Sequence, residues 1–220
     1  MSSNIFRVSV RTAAIMIGFT VIGTAVLAYT FNITRDIIGK NEELEKLALI
    51  SQTLPRDIYD NNLVQDTITL KPNDDLGNEE PSPAYRASLQ GKATAIVLEV
   101  VAPDGYSGKI KLLVAILSNG EIAGVRVVAH NETPGLGDYI DIAKNAWIKI
   151  FDHLSLAKVR QQDWKVKKDG GTFDYMTGAT ITPRAVVKAV HRALRYFDKN
   201  RNQLLGLVNE PLAVQSNNKG

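Results

Sequence analysis

The run ATAIVLEVVAPDGYSGKIKLLVAILSNGEIAGVRVVA, residues 93–129, holds three apolar, β-branched segments separated by two turns. Residues 93–101 form the first. Ala102-Pro103-Asp104-Gly105 ends it, proline fixing one φ and glycine admitting a positive one. Residues 109–117 and 121–129 read as the second and third strands, joined through Asn119-Gly120, a two-residue hairpin signal. A meander this apolar has to cover a face with helices. The expected fold class is therefore α+β, with helices packed on an antiparallel sheet.

The third strand runs into His130-Asn131-Glu132-Thr133-Pro134-Gly135-Leu136-Gly137-Asp138. Two glycines and a proline within four residues expose the backbone, and Asp138 can cap a helix carrying Ile140, Ile142, Ala143, Trp147, Ile148 and Phe151. Two readings stand side by side. The loop either offers N–H donors, a hydroxyl and a carboxylate to a polar planar ligand, or it is a strand-to-helix connection with Glu132 as a solvated charge. His130 reads as a strand-end residue rather than a base. Trp147 falls on the apolar helix stripe and belongs to the core, whereas Trp164 is open between core and ligand.

Further on, Thr177-Gly178-Ala179-Thr180 precedes Ile181-Thr182-Pro183. Thr182 followed by proline is a helix-start signal, the hydroxyl capping orphan N–H groups. Thr180 then lies just ahead of a helix N-terminus, where amides and the macrodipole favour an anion. A capped helix after a turn is the plain alternative. On that final helix, His191 is expected at the surface or against a stalk.

Composition bounds the chemistry. The 220 residues suit one ordinary domain plus an addition, and the net charge of +3 is unevenly spread. Residues 40–91 hold five basic and ten acidic side chains; residues 158–201 hold eleven basic and four acidic. The second imbalance suits an anionic ligand, an anionic membrane surface or an acidic partner. Within it Lys165, Lys167 and Lys168 read as a solvated basic face rather than direct ligands. Nucleic acid is disfavoured, since no aromatic-interleaved platform accompanies the charge. No cysteine is present, which excludes disulfides, thiolate metal sites, Cys-ligated iron–sulfur clusters and thiol nucleophiles. Three histidines support no metal cluster, and neither a triad nor a carboxylate pair appears, so no catalytic or metal-binding residue is expected.

The N-terminus carries nineteen uncharged residues, 13–31, covering roughly 29 Å as a helix. Ala28-Tyr29-Thr30 supplies no small-x-small cleavage site, which favours an uncleaved anchor over a signal peptide. Arg7 and Arg11 before it are matched by Arg35 and Lys40 after it, so the charge rule nearly ties on orientation. Residues 41–54 read as an amphipathic helix ended by Pro55, continuing the anchor as a stalk. Leu44, Leu47, Leu49, Ile50 and Leu54 form its apolar side. Residues 71–83, KPNDDLGNEEPSP, read as a polar surface loop.

GYSGKI at 105–110, HNETPGLGD at 130–138 and DYMTGAT at 174–180, with the anchor, resemble the FMN-binding domain family of two membrane redox complexes. These are the Rnf complex and the sodium-pumping NADH:quinone oxidoreductase. The chain resembles the G subunits of Rnf, and an NqrC-type subunit of the second complex is the alternative. An anchored, non-catalytic flavin sensor or assembly protein is a further one. The family's D-x-x-(S/T)-G-A-T pattern falls on Asp174, Thr177, Gly178, Ala179 and Thr180, and its last threonine bears FMN through a phosphoester, which implies Thr180 here. A flavin transferase using FAD and Mg²⁺ makes that bond, with Asp174 in its recognition signal. The family's flavin-approaching loop falls on Glu132, Thr133, Pro134, Gly135, Leu136 and Gly137. The resemblance implies an electron-transfer role without an independent catalytic site, other Rnf subunits as partners, lipid around the anchor, and the bacterial inner membrane. It also implies a layout: 1–12 a cytoplasmic tail, 13–32 a transmembrane helix, 33–54 a stalk. Residues 55–208 would be a periplasmic FMN-binding domain and 209–220 a C-terminal tail.

Overall fold

The computed structural model describes the backbone of residues 2–207, and the side chains within that range except 2–6 and 36–47. The expected C-terminal tail at 209–220 and the stalk side chains Leu44 and Leu47 lie outside the described residues. Helix α1 (Ser2–Thr53) takes in both the expected tail and the expected stalk. The chain separates into two compact units, Met1–Lys46 and Leu47–Gly220.

In the first unit, Arg7–Arg35 is long and apolar enough to cross a membrane. Its described side chains are exposed nearly all round, which suits lipid rather than a protein core. Thr12, Thr20, Thr30 and Thr34 each donate a hydroxyl hydrogen to the carbonyl four residues back, at 2.8–3.0 Å. These four hydroxyls therefore need no water.

The second unit is an antiparallel sheet whose strands follow chain order: β1 (Thr67–Leu70), β2 (Ser82–Leu89), β3 (Lys92–Ala102), β4 (Ile110–Leu117) and β5 (Ile122–Ala129). The last three are the meander expected from residues 93–129. Ile96, Leu98 and Val100 of β3, with Leu112, Val114 and Ile116 of β4, face helix α2 (Ile181–Leu204). Ala95, Val97, Leu113 and Ala115 point the other way and bury Ile50, Leu54 and Leu63. Both faces are covered, which is why the strands read as continuous apolar runs rather than alternating ones. Arg126, buried in β5, donates to the Gln52 carbonyl at 3.0 Å and so caps the end of α1.

Several local expectations need correcting. Residues 71–83 are no simple surface loop: Leu76 is fully buried, its carbonyl accepts from the Val101 amide at 2.8 Å, and Ser82 and Pro83 open β2. The polar majority of that run hides one apolar anchor. The β4–β5 connection is a three-residue loop rather than a two-residue one. Leu117 N–H donates to the Glu121 carbonyl, and of its residues only Gly120 takes a positive φ, +92°. No α-helix covers residues 138–151. Two short 3-10 helices stand there, Gly137–Ile140 and Ala146–Phe151, the second capped by the Asn145 side chain accepting from the Trp147 amide at 2.8 Å. The large apolar residues Ile140, Trp147, Ile148 and Phe151 are still buried, but Asp141 and Asn145 turn the backbone between them.

Six rings run through the core beneath α2. Trp147 meets Tyr139 and Phe151 edge-on, and Phe151 and Trp164 flank Phe173 at 5.2 and 5.1 Å. His191 stacks on Trp164 with ring centroids 5.1 Å apart and planes 3° from parallel. His191 is thus half-buried in the core rather than at the surface, and Trp164 is a core residue. The Trp147 indole N–H donates to the Asp174 carbonyl at 2.8 Å.

Two outcomes follow for stability. Burial lowers the His191 pKa, nearby Arg195 adds to the shift, and Asp75 opposes it. A base depressed in the folded state binds more protons when unfolded, so its contribution is complete above about pH 6.5 and declines as pH falls through that range. The unfolding midpoint of the chain in detergent should drop between about pH 7 and pH 5.5, and His191→Phe should flatten the drop. An unchanged slope in the variant would show that other groups carry it. Trp147→Phe keeps the ring contacts but loses the donor to Asp174, and urea unfolding should register a loss of about 1 kcal/mol.

Candidate functional site

Glu132 ties three distant pieces of chain together. Its side chain is buried. Oε1 accepts from the Ser107 amide at 3.1 Å, and Oε2 accepts from the Thr182 hydroxyl at 2.5 Å. Its own amide donates to His130 Nδ1 at 3.1 Å, which orients that strand-end imidazole. The solvated-charge reading of Glu132 therefore does not hold. A buried carboxylate costs several kcal/mol unless donors reach it, and here two segments supply them. Gly137 sits inside this junction, where a Cβ would lie 2.8 Å from both Glu132 Oε2 and Thr182 Oγ1. No side chain larger than hydrogen fits without spreading it.

The loop between them is short and self-bonded. The amides of Leu136 and Gly137 donate to the Thr133 carbonyl at 3.1 and 3.0 Å, and the Gly135 amide donates to Asp138 Oδ1 at 2.8 Å. Asp138 thus closes the turn behind it instead of capping a helix ahead. Thr133, Pro134, Gly135 and Leu136 are exposed.

Segment 174–180 is pinned at its start by the Trp147 bond to the Asp174 carbonyl and by the Met176 amide donating to the Tyr139 hydroxyl at 3.2 Å. Burial pushes the Tyr139 phenol up, so it stays a neutral hydroxyl. The Ala179 amide closes a turn on the Met176 carbonyl at 3.1 Å. At its tip Gly178 has φ +91° and open space where a Cβ would stand. The Asp174 carboxylate lies 2.6 Å from Lys167 Nζ, both side chains exposed. Lys165 and Lys168 are exposed as well, as expected of a solvated face. Arg184, in the first turn of α2, is held bidentate by Asp169 at 2.6 and 2.8 Å, which lowers the Asp169 pKa.

The start of α2 departs from expectation by two residues. Thr180, not Thr182, occupies the N-cap position, with φ −79° and ψ −27° and no side-chain capping bond. Thr182 lies inside the helix, and its hydroxyl donates to the Glu132 carboxylate. Two consequences bear on chemistry. The Thr180 hydroxyl is not engaged in capping. The amides of Ile181 and Thr182, in the first turn of a 24-residue helix, have no intrahelical acceptor, and Pro183 carries none. In the segments bonded to this junction four large apolar side chains are exposed: Tyr106 beside Ser107, Leu136 beside Gly137, Met176 in the acceptor turn and Ile181 beside Thr182. A hydroxyl not used for capping, helix N-terminal amides, an open glycine and exposed apolar side chains suit a phosphate bearing a flat aromatic ring.

Of the residues expected at the site, the fold joins Glu132 and Gly137 to the start of α2 through Thr182. Asp174, Thr177 and Gly178 are exposed, and Ala179 and Thr180 half-buried, on the turn leading into that helix. Ser107, Tyr139, Trp147 and Thr182 hold this arrangement, a role the sequence does not announce for any of them. Ser107 and Tyr139 stand inside or next to the motif stretches, and that proximity is the available signal.

Comparison with known proteins agrees with this geometry. Residues 105–195 match the FMN-binding domain family, and residues 1–53 match the RnfG N-terminal region. The chain is 46% identical over 199 residues to the G subunit of the ion-translocating oxidoreductase complex of Shewanella loihica, covering 90% of this chain and 94% of the relative. It is 46% identical over 199 residues to the corresponding G subunit of Pseudomonas aeruginosa, covering 90% and 93%. The Vibrio cholerae G subunit is 45% identical over 194 residues, covering 88% and 92%. An N-terminal apolar helix, a five-stranded antiparallel sheet and an FMN-binding domain, matched over nearly the full length of such relatives, place this chain in the family of G subunits of the ion-translocating oxidoreductase complex.

Proposed function

We propose that this chain is the membrane-anchored electron-transfer subunit of an Rnf-type ferredoxin:NAD oxidoreductase, holding FMN by a phosphoester on Thr180. The observation that carries the reading is the state of Thr180. It is the threonine at the N-terminus of α2, and no capping bond engages its hydroxyl. Thr182 is committed to Glu132, and Thr177 stands exposed before the turn.

A threonine hydroxyl is a weak nucleophile, and the ion-paired Lys167 and Arg184 are not free to act as its base. An external flavin transferase using FAD and Mg²⁺ supplies the activation. The Thr180 Oγ1–P bond forms, the P–O–P anhydride of FAD breaks, AMP leaves, and the hydroxyl proton passes to a base of the transferase. No electrons are exchanged in that step. The resulting phosphodiester keeps one negative charge, which the α2 N-terminus stabilises by roughly 0.3–1 kcal/mol. Asp174 serves recognition, and Thr177, Gly178 and Ala179 form the accessible approach.

Bound FMN supplies one- and two-electron chemistry; the chain holds it and tunes its potential. The loop Glu132, Thr133, Pro134, Gly135, Leu136 and Gly137 would hold the flavin from the neighbouring side, where the exposed Leu136 and Met176 would offer it apolar contact. Other subunits of the complex deliver and remove the electrons. The 29 residues Arg7–Arg35 extend about 43 Å as a helix, more than the ~30 Å hydrocarbon layer, so Arg7 and Arg35 reach lipid headgroups on either side. In this reading residues 1–12 lie in the cytoplasm, 13–32 span the inner membrane, 33–54 form a stalk, and 55–208 bind FMN in the periplasm.

Co-expression of the full chain with a flavin transferase tests the attachment. The wild-type band on a denaturing gel should fluoresce, and the Thr180→Val band should be dark. A fluorescent Thr180→Val band would contradict the assignment.

A further inference from the structure

The fold leaves one question about the attachment residue: what keeps it in place. Thr180 is followed two positions later by Thr182, whose side chain is buried and held by Glu132 from a different segment. We propose that the Glu132–Thr182 pair is a clasp that positions Thr180 for flavin attachment, Thr182 acting as a positioning residue. The inference rests on the reading of Thr180 as the flavin acceptor.

The Thr182 hydroxyl points at Glu132 Oε2 and donates to it. This fixes the Thr182 rotamer, and with it the backbone of the first turn of α2, against a group anchored elsewhere. The Glu132 carboxylate is anchored at its other oxygen by the Ser107 amide in the β3–β4 turn. The β3–β4 end of the sheet, the 133–137 turn and the helix start therefore share one register. Gly137 shows how tight that register is, since its hydrogen occupies the space against both partners. Thr180 has no capping bond of its own, so its placement depends on the helix turn that follows. In the opposite direction, segment 174–176 is fixed by Trp147 and Tyr139, and only Thr177, Gly178 and Ala179 lie between that support and Thr180. Loosening the clasp frees the helix-side end of the acceptor turn.

A placement effect differs from a stability effect in what it changes. Misplacing a reacting atom by about 1 Å can cost on the order of a hundredfold in rate while the surrounding fold persists. Removing the hydroxyl should therefore lower the turnover of attachment more than the affinity of the transferase, because Asp174 and the exposed turn it recognises remain.

The test uses the full chain in detergent, free of flavin, with purified transferase, FAD and Mg²⁺. Initial rates of covalent flavin incorporation are measured per folded molecule, the folded fraction coming from far-UV circular dichroism. Thr182→Val should lower kcat for attachment about tenfold or more with KM for the chain little changed. Thr182→Ser, which keeps the hydroxyl, should restore most of the rate. Thr180→Val is run alongside and should accept no flavin. Thr182→Val at the wild-type rate beside a dark Thr180→Val would overturn the clasp and leave the acceptor reading standing. A Thr182→Ser protein as slow as Thr182→Val would also overturn it. Flavin on Thr180→Val would instead overturn the acceptor reading. Should Thr182→Val fail to fold, Gly137→Ala decides, since its methyl spreads the pair without removing either group. A slow, folded Gly137→Ala supports the clasp; a wild-type rate, or loss of fold there too, overturns positioning in favour of a purely structural bond.

Discussion

A carboxylate taken out of water must find donors, and Glu132 finds them in two places that the sequence holds far apart. The Ser107 amide belongs to the β3–β4 turn and the Thr182 hydroxyl to the first turn of α2. Because both are drawn to one side chain, the end of the sheet, the glycine loop and the start of the long helix share a fixed register. Loss of either donor would leave a buried charge short of a partner, a far larger penalty than loss of a surface bond. Thr182 lies inside the first turn of α2, and Thr180 takes the N-cap position with no side-chain capping bond.

The site is built from local elements around that junction. A turn with an open glycine at its tip leads into Thr180, while Trp147 and Tyr139 hold its beginning through one indole N–H and one phenol oxygen. The aromatic row that includes Trp147 continues into the core as far as His191, so the support for the turn is continuous with the packing under α2. Ion pairs engage the nearby Lys167 and Arg184, leaving helix amides as the backbone's contribution to an anion. Such a site suits a subunit that holds a redox group.

Much of this is legible in the sequence because it is local. Three strands, the turn after β3, the apolar N-terminal helix and the position of Thr180 ahead of a helix all follow from local composition, periodicity and turn chemistry. What escapes a sequence reading depends on contacts across the chain. Strand β1 has four residues and β2 is Ala- and Ser-rich with Pro83 at its start, so neither carries a strand pattern without its neighbour. Leu76 looks like one apolar residue in a polar loop until the Val101 amide bonds its carbonyl. The segment 138–151 has a helical spacing of apolar residues, yet Asp141 and Asn145 bond the backbone locally and break it into two short 3-10 helices. Thr182 reads as a cap because a capping hydroxyl and a hydroxyl bound for a distant carboxylate look alike in sequence. His191 reads as exposed for the same reason: its partner, Trp164, lies far away in the chain.

The central claim is that Thr180 carries the flavin, and a peptide map tests it most directly. Tryptic cleavage after Lys168 and Arg184 releases DGGTFDYMTGATITPR, residues 169–184, which holds the four threonines Thr172, Thr177, Thr180 and Thr182. Mass spectrometry of the chain matured with its transferase should find this peptide heavier by FMN less one water. Fragmentation should place the whole addition on Thr180. The same mass on Thr177 or Thr182, or an unmodified peptide from flavin-loaded protein, would contradict the account.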